Sequence, residues 1–130
     1  MRMLRNVPLD AAAFFEMTPD LVCIAGRDGY LKSVNQAVLD KLGYSREELF
    51  SRPIDSFIYE EDRPRTSRER EKLLGGNLLH NFENRYYTRS GDILWLEWTS
   101  IFFPDRDLVL AIARDISPRK KMEAEIEERF

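Results

Sequence analysis

The side chains in this sequence that could perform acid–base chemistry are two clusters of carboxylates. They are Glu47 with Glu48, and Glu60 with Glu61 and Asp62, and paired carboxylates of this kind can serve as a general acid and a general base. Both clusters lie where helices are expected to begin, and acidic side chains there complement the helix dipole. The sequence adds no glycine-rich phosphate loop, no activated nucleophile and no pair of histidines at metal-ligand spacing. We therefore expect no enzymatic activity and no metal site in this chain.

Composition narrows the function classes further. The chain has 130 residues, of which 43% are hydrophobic, and this is enough for one folded domain. Its net charge of −3, with both signs interleaved, argues against a nucleic-acid-binding patch. Cys23 is the single cysteine and can form no internal disulfide, which suits a reducing compartment. Because no stretch is typical of a signal peptide or a membrane span, we expect a cytoplasmic location and no membrane contact in this segment.

The first half of the chain predicts a short helix, a hairpin and further helices. Asp10 is a suitable N-cap for a helix over residues 11–17, and an Asp-Gly turn at residues 28–29 predicts a hairpin between two strands. Asn35 and Ser45 are suitable N-caps for two more short helices. A longer, exposed helix is expected from about residue 62 to residue 74.

The second half changes to the alternating pattern of strands, over residues 78–88, 93–103 and 108–116. Since a two-stranded hairpin is marginal alone, we expect an α+β fold with one five-stranded antiparallel sheet and the connecting helices on one face. Ser117 and Pro118 then predict the N-cap and first residue of a last, mostly charged helix.

Several short motifs, in this order and spacing, resemble those of PAS domains from about Asp10 to Phe130. The residues that carry the resemblance are Asp20, Asp28-Gly29, Val34-Asn35, Ala37, Gly43-Tyr44-Ser45, Glu48-Leu49, Glu61-Asp62, Glu83, Arg85, Ser90-Gly91, Trp95, Trp98 and Asp115-Ile116-Ser117. The resemblance implies a PAS fold, in which residues 1–9 are an N-terminal tail and residues 10–116 are the domain with its N-terminal cap helix. Residues 117–130 would begin a C-terminal signalling helix that leads to an output domain such as a histidine kinase or a diguanylate cyclase.

With the strand register that this resemblance implies, one sheet face turns toward the helices and forms a candidate ligand pocket. The side chains expected there are Phe57, His80, Phe82, Asn84, Tyr86, Leu96, Trp98, Ser100, Ala111 and Ala113. Aromatic walls, a floor of small residues and a few polar groups are the usual composition of a small-molecule site. The alternative is that the aromatic side chains fill this space as an ordinary core.

The residues present argue against two cofactors of similar domains. Flavin-binding photosensors of this kind use a reactive cysteine on the middle helices, where this chain has Phe57 and Ile58. Haem-binding relatives use a histidine from the long connecting helix, whereas the single histidine here, His80, follows that helix. A flavin or another small molecule held without a covalent bond is compatible with stacking on Trp98 and hydrogen bonds from Asn84. The cofactor is therefore left unassigned.

In the same register, the opposite face of the sheet is apolar. We expect this face to be the interface of a homodimer. Its strand residues are Trp95, Ile101, Phe103, Leu110 and Ile112, which make a surface too large to leave in water. The first helix, through Phe14 and Phe15, is expected to cover part of this surface, and a second subunit the remainder. The alternative is full coverage by the chain's own helix.

The link between the last strand and the last helix is the expected signal relay. Asp115, Ile116 and Ser117 would pass a shift of the sheet, caused by a ligand or a partner, to the helix. We therefore expect a sensor domain that binds a small molecule or relays a signal through dimerisation. The alternative is a ligand-free scaffold for protein–protein interaction and dimerisation.

Overall fold

The computed structural model describes residues 10–129. The proposed N-terminal tail, residues 1–9, and Phe130, the last residue of the proposed signalling segment 117–130, lie outside the described residues. The helices are α1 (Ala11–Met17), α2 (Gln36–Leu42), α3 (Arg46–Ser51), α4 (Arg63–Leu74) and α5 (Ser117–Glu128). The strands are β1 (Leu21–Gly26), β2 (Leu31–Val34), β3 (Leu79–Tyr87), β4 (Ile93–Phe103) and β5 (Leu108–Asp115), with 3-10 turns at Ile54–Phe57 and Glu60–Asp62.

The five strands form one antiparallel sheet in the order β2-β1-β5-β4-β3. α2 lies against β1, α3 against β2, and α4 against β3 and β4. The largest fully buried side chains, among them Phe57, Leu96 and Val38, fill the layer between the sheet and these helices. The predicted α+β fold, with one five-stranded antiparallel sheet and its connecting helices on one face, is confirmed. Within residues 10–129, no helix is both long enough and apolar enough to span a membrane.

The predicted caps of the short helices are confirmed. Asp10 caps α1 through hydrogen bonds from the amides of Ala12 and Ala13. Asn35 caps α2, which ends on Gly43 at φ +84°, a backbone angle that glycine adopts without a steric penalty. Ser45 and Glu48 form the reciprocal capping box of α3. These local signals position the helices that close the inner face of the sheet.

The predicted N-cap role of Ser117 is wrong. α5 begins at Ser117 itself, and the hydroxyl of Ser117 accepts a hydrogen bond from the Trp95 amide at 2.9 Å. The carboxylate of Asp115 instead accepts a hydrogen bond from the Ser117 amide at 2.9 Å. The serine is thus used to attach the helix to β4, while the aspartate satisfies a free amide at the helix start.

Candidate functional site

A cavity of about 110 Å³ lies between the inner face of the sheet and the connecting helices. The floor of the cavity includes a row of residues that are neighbours on adjacent strands. Cys23 of β1 pairs with Ala111 of β5, and Ala111 pairs with Ser100 of β4. Leu79 of β3 pairs with Ser100 and continues the row. Because alanine, serine and cysteine are small, this row leaves space that larger side chains would fill.

Most of the side chains that the sequence predicts for the pocket do line this cavity. They are Phe57, Phe82, Asn84, Tyr86, Trp98, Ser100 and Ala111. Leu96 and Ala113 share the same sheet face but are completely buried in the core and do not line the cavity. The two aromatic rings of Tyr86 and Trp98 lie 5.6 Å apart, centre to centre, and form one wall.

His80 does not belong to the pocket, and its predicted place there is wrong. Phe82 pairs with Trp98, but Leu79 and not His80 pairs with Ser100, so β3 carries one extra residue at this point. This bulge, in which Asn81 has φ +54°, reverses the alternation of side chains along β3. Leu79 therefore lines the cavity while His80 is exposed. Asparagine tolerates positive φ better than most residues, and Asn81 is the sequence signal that could have indicated the bulge.

The cavity also has lining residues on α4 that the sequence did not predict, because that helix was expected to be exposed. Thr66, Arg70 and Leu73 line the cavity. Their spacing of four and three residues places them on one face of a helix, which is the signal that could have identified them.

A chain of hydrogen bonds crosses the cavity wall. The indole nitrogen of Trp98 donates to Asn84 Oδ1 at 2.8 Å, and Asn84 Nδ2 donates to Thr66 Oγ1 at 3.2 Å. The Thr66 hydroxyl donates to the backbone carbonyl of Asp62 at 2.7 Å. The buried amide of Asn84 thus connects the aromatic wall to the beginning of α4.

The carboxylate of Asp62 continues this connection on the other side of β3. Its side chain is only 3% exposed and accepts three hydrogen bonds from Arg85, one from the backbone amide and two from the guanidinium, at 2.6–3.0 Å. Burial alone would raise the pKa of Asp62, but the hydrogen bonds and charge of Arg85 outweigh it and hold that pKa below its ordinary value. Asp62 was expected to complement the start of a helix, but its side chain makes no cap. Its carboxylate is instead part of an ion pair.

Arg85 and Trp95 carry the contacts from Asp62 to the last helix. The guanidinium carbon of Arg85 lies 4.8 Å from the centre of the Trp95 ring, and the ammonium of Lys120 lies at the same distance from that ring. Lys120 also pairs with Glu83 at 2.8 Å. α5 therefore contacts the sheet through Lys120, which approaches the same half-buried tryptophan ring as Arg85.

Cys23 lies on the cavity floor and belongs to β1, not to the middle helices. Burial raises the pKa of its thiol to about 12, so at neutral pH the thiol is protonated and is a weak nucleophile. Its position and protonation favour a packing role over adduct chemistry.

A family model described as the PAS fold matches residues 31–110, well over half of the chain. The chain belongs to the PAS-fold family. A domain of a sensory box sensor histidine kinase/response regulator from Geobacter sulfurreducens superposes with a TM-score of 0.71 at 30% identity, covering 80% of this chain and 90% of that one. The PAS domain of an HTR-like protein from Haloarcula marismortui gives a TM-score of 0.69 at 30% identity, covering 80% and 92%.

Two curated relatives are similar to this chain over a small part of their much longer chains. The probable diguanylate cyclase DgcE of Escherichia coli (strain K12) is 33% identical over 75 residues, which are 57% of this chain and 7% of that protein. The methyl sulfide methyltransferase-associated sensor of Methanosarcina acetivorans is 30% identical over 114 residues, 84% of this chain and 11% of that protein. The chain is thus a PAS sensor domain, a regulatory module that spans about a tenth of these relatives' length.

The three residues predicted as a relay join four elements of the PAS domain. Asp115, at the end of β5, forms a salt bridge with Lys41 of α2 at 3.1 Å. It also accepts the hydrogen bond from the Ser117 amide. The amide of the buried Ile116 donates to the Trp95 carbonyl at 3.0 Å. Burial alone would raise the pKa of Asp115, but the bonds from Ser117 and Lys41 outweigh it and lower that pKa. Through these residues, β4, β5 and α2 all contact the start of α5.

The outer face of the PAS domain carries the apolar residues predicted for a dimer. Ile101, Phe103 and Ile112 are 40–43% exposed, and Leu110 and Trp95 are half-buried. α1 packs against α2, with Phe14 exposed and Phe15 half-buried. Within residues 10–129, α1 does not cover this face completely, and this leaves room for a second subunit.

Proposed function

We propose that this PAS domain senses a small molecule in its inner cavity and passes the occupancy of that cavity to an output domain after α5. The observation that carries the proposal is the continuous set of contacts from the cavity wall to α5. It runs from Trp98 through Asn84 and Thr66 to Asp62, and then through Arg85 to Trp95, Lys120 and Ser117. A ligand that moves the Trp98 or Asn84 side chain would disturb the same contacts that attach α5.

The alternative function is a ligand-free scaffold. The presence of a cavity distinguishes a sensor from such a scaffold. A scaffold has no need of unfilled space in its core, and voids larger than a water molecule are few in well-packed interiors. An unfilled volume of about 110 Å³ beside a hydrogen-bonded amide therefore favours the sensor.

The retained ligand is the first test. We expect native mass spectrometry of gently purified protein to show a species heavier than the 15.4 kDa chain. Ala111→Leu, which adds three carbon atoms at the cavity floor, is expected to lower the retained fraction at least tenfold, because the cavity walls are close-packed. The ratio of the liganded and bare peaks gives the fraction directly.

Arg114→Leu is the matched control, because Arg114 lies on the same strand but is exposed. It is expected to keep the wild-type fraction of ligand. A bare chain in the wild type, or a ligand retained equally by Ala111→Leu, would count against the sensory cavity and favour the scaffold.

We further propose that the outer face pairs two copies of the chain. The support is the exposed apolar residues Ile101, Phe103 and Ile112 of the sheet. Met122 and Ile126 of α5 are exposed as well and add apolar surface available to a partner. A stable interface buries about 800 Å² on each partner, so we expect α1 or α5 to take part beside the sheet.

Ile112→Lys is expected to raise the dimer dissociation constant at least a hundredfold, because a charge would be buried without a partner in the pair. Light scattering after size-exclusion chromatography measures the change. Ile93→Lys is the control, since Ile93 is 39% exposed on the same face but lies at the far end of β4. A wild-type monomer at micromolar concentration, or equal effects of the two substitutions, would contradict this interface.

The output domain and the location are also proposals. The relatives named as a diguanylate cyclase and as a sensor histidine kinase support an enzymatic output domain C-terminal to α5 in the full protein. The free, buried thiol of Cys23 is compatible with a reducing compartment, which supports a cytoplasmic location.

A further inference from the structure

We infer that the cavity selects a small uncharged molecule with an apolar body and one hydroxyl or carbonyl group, of about the size of phenol. This inference rests on the proposed sensory function and specifies the ligand class of that same cavity. It depends on three properties of the cavity: its volume, its two unpaired hydroxyls and the charges around it.

The volume limits the ligand to a single ring or a short aliphatic chain. The cavity measures about 110 Å³, and an engineered apolar cavity of about 150 Å³ in another protein is known to accommodate benzene. Sites for drug-sized ligands measure roughly 300–1,000 Å³. The three fused rings of a flavin, which the sequence left open as a non-covalent ligand, therefore do not fit the cavity as it stands.

Most of the wall offers no polar contact. The side chains that enclose the space include Leu21, Val38, Leu49, Ile58 and Leu73. A ligand gains from these residues only by burying apolar surface, so its body is expected to be hydrocarbon.

Two hydroxyl groups in this wall have no hydrogen-bond partner among residues 10–129. They belong to Tyr86 and Ser100, whose residues are 8% and 4% exposed. Within the described residues, no completely enclosed side-chain nitrogen or oxygen lacks a partner. The Tyr86 and Ser100 oxygens are therefore not enclosed, and since both residues line the cavity, the space they face is the cavity. A hydroxyl that faces an apolar cavity without a hydrogen-bond partner is unfavourable, and a ligand oxygen that pairs with it removes that cost.

The groups around the cavity favour an uncharged ligand. Four polar side chains of its wall, Tyr86, Ser100, Asn84 and Thr66, are neutral, and burial raises the pKa of the Tyr86 hydroxyl, which keeps it protonated. Among residues 10–129, the charged residues that line the cavity are Asp55, which is exposed, and Arg70, whose guanidinium already donates to the backbone carbonyl of Arg27 at 3.0 Å. A charged ligand group would lose its hydration inside the cavity, and because Asp55 and Arg70 carry opposite charges, one of them would repel it.

Benzene, phenol and benzoate separate these properties, because they share one ring and differ in its substituent. We expect titrations followed by protein NMR to show phenol binding at least fivefold more tightly than benzene, and benzoate binding at least tenfold more weakly than phenol. In the double variant Tyr86→Phe and Ser100→Ala, we expect the preference for phenol over benzene to fall to about one, while benzene binding is retained. Retained benzene binding shows that the variant is folded.

Tyr87→Phe is the matched control, because Tyr87 is the next residue of β3 and points to the other side of the sheet. It is expected to keep the wild-type preference for phenol. Equal affinities for phenol and benzene in the wild type, or a preference that survives in the double variant, would overturn the ligand class and leave the sensory cavity standing. Tightest binding of benzoate would overturn the requirement for an uncharged ligand. If neither benzene nor phenol binds and no ligand is retained from cells, the proposed sensory function itself fails.

Discussion

Arg85→Met is expected to destabilise the PAS domain by about 3 kcal/mol at pH 7. The substitution leaves the carboxylate of Asp62 buried without its main partner, and breaking a buried pair in this way costs about 3–5 kcal/mol. The low end applies because the backbone amide of residue 85 and the guanidinium of Arg65, at 3.6 Å, still contact Asp62. Urea denaturation followed by circular dichroism measures the free energy of unfolding.

The destabilisation by Arg85→Met is expected to depend on pH with a definite sign. In the wild type the pKa of Asp62 is lowered, so its contribution is present above the unfolded value of about 3.9 and is lost as the pH falls through the folded value. In the variant, burial is no longer offset by the guanidinium, and the pKa of Asp62 is expected to rise above its unfolded value. The variant then loses stability as the pH rises between these two values. The difference between the two proteins is therefore smallest near about pH 3 and reaches its full size by neutral pH.

Arg89→Met provides the control for the loss of an arginine. Arg89 pairs with Glu48 at 3.1 Å, but both side chains are exposed, and exposed pairs contribute about 0–1 kcal/mol. Equal destabilisation by the two substitutions, or an Arg85→Met effect that does not change between about pH 3 and pH 7, would show that Asp62 is not the group that Arg85 stabilises.

The same substitution bears on signal transmission, because Arg85 also contacts Trp95. Without the guanidinium, the contacts that join Trp95 to α5 and the residue before it are the ammonium of Lys120 over its ring and the two hydrogen bonds of its backbone with Ile116 and Ser117. We therefore expect faster amide exchange in the first turn of α5 than in the Arg89→Met control. We therefore expect the contacts of Asp62 and Arg85 both to stabilise the domain and to hold α5 against the sheet.

Local signals account for the parts of the fold that the sequence predicts well. Caps such as Asn35 and the box of Ser45 with Glu48 depend on residues three or fewer positions apart, and the Asp-Gly turn depends on its own backbone. Side chains alternate regularly along β4 and β5. The sequence pattern therefore places inward residues such as Trp98 of β4 and Ala111 of β5 on the correct face of the sheet. These features need no knowledge of the tertiary structure.

The remaining features depend on which elements meet in space. The bulge at Asn81 changes the register of β3 by one residue, and this exchanges His80 for Leu79 in the cavity wall. Ser117 is a good N-cap by its type, but the free amide of Trp95 on the neighbouring strand is a competing donor. The partner of Asp62 is 23 residues away in the chain. No local pattern could have identified it.

Asn35→Ala is expected to destabilise the domain by about 3 kcal/mol, because one completely buried side chain makes four hydrogen bonds. Its oxygen accepts from the amides of Val22 and Val38 at 3.0 and 3.3 Å, and its nitrogen donates to the carbonyls of Phe15 and Asp20 at 2.9 Å. Loss of an N-cap alone costs about 0.5–2 kcal/mol. Leaving a buried backbone group unpaired adds about 1–3 kcal/mol.

Asp10→Ala is the matched control for the cap, because Asp10 caps a helix of the same seven-residue length but is exposed. It is expected to cost about 1 kcal/mol or less, near the low end for a cap. If the two alanine variants lose equal stability in urea denaturation, the contacts of Asn35 outside its cap contribute nothing measurable.

Asn35→Asp distinguishes the contribution of Asn35 as the cap of α2 from its contribution through the hydrogen bonds that hold α1. The aspartate keeps both acceptor bonds but turns a carboxylate oxygen toward the carbonyls of Phe15 and Asp20, where the amide nitrogen donated before. Burial and this repulsion are expected to raise the pKa of the new carboxyl group, so the variant loses stability as the pH rises above about 3.9 and recovers part of it in acid. Amide exchange is expected to increase at α1 and β1 while the first turn of α2 stays protected. Equal loss of protection in α2 would mean that Asn35 acts mainly as its cap, and α1 would then be held by other contacts.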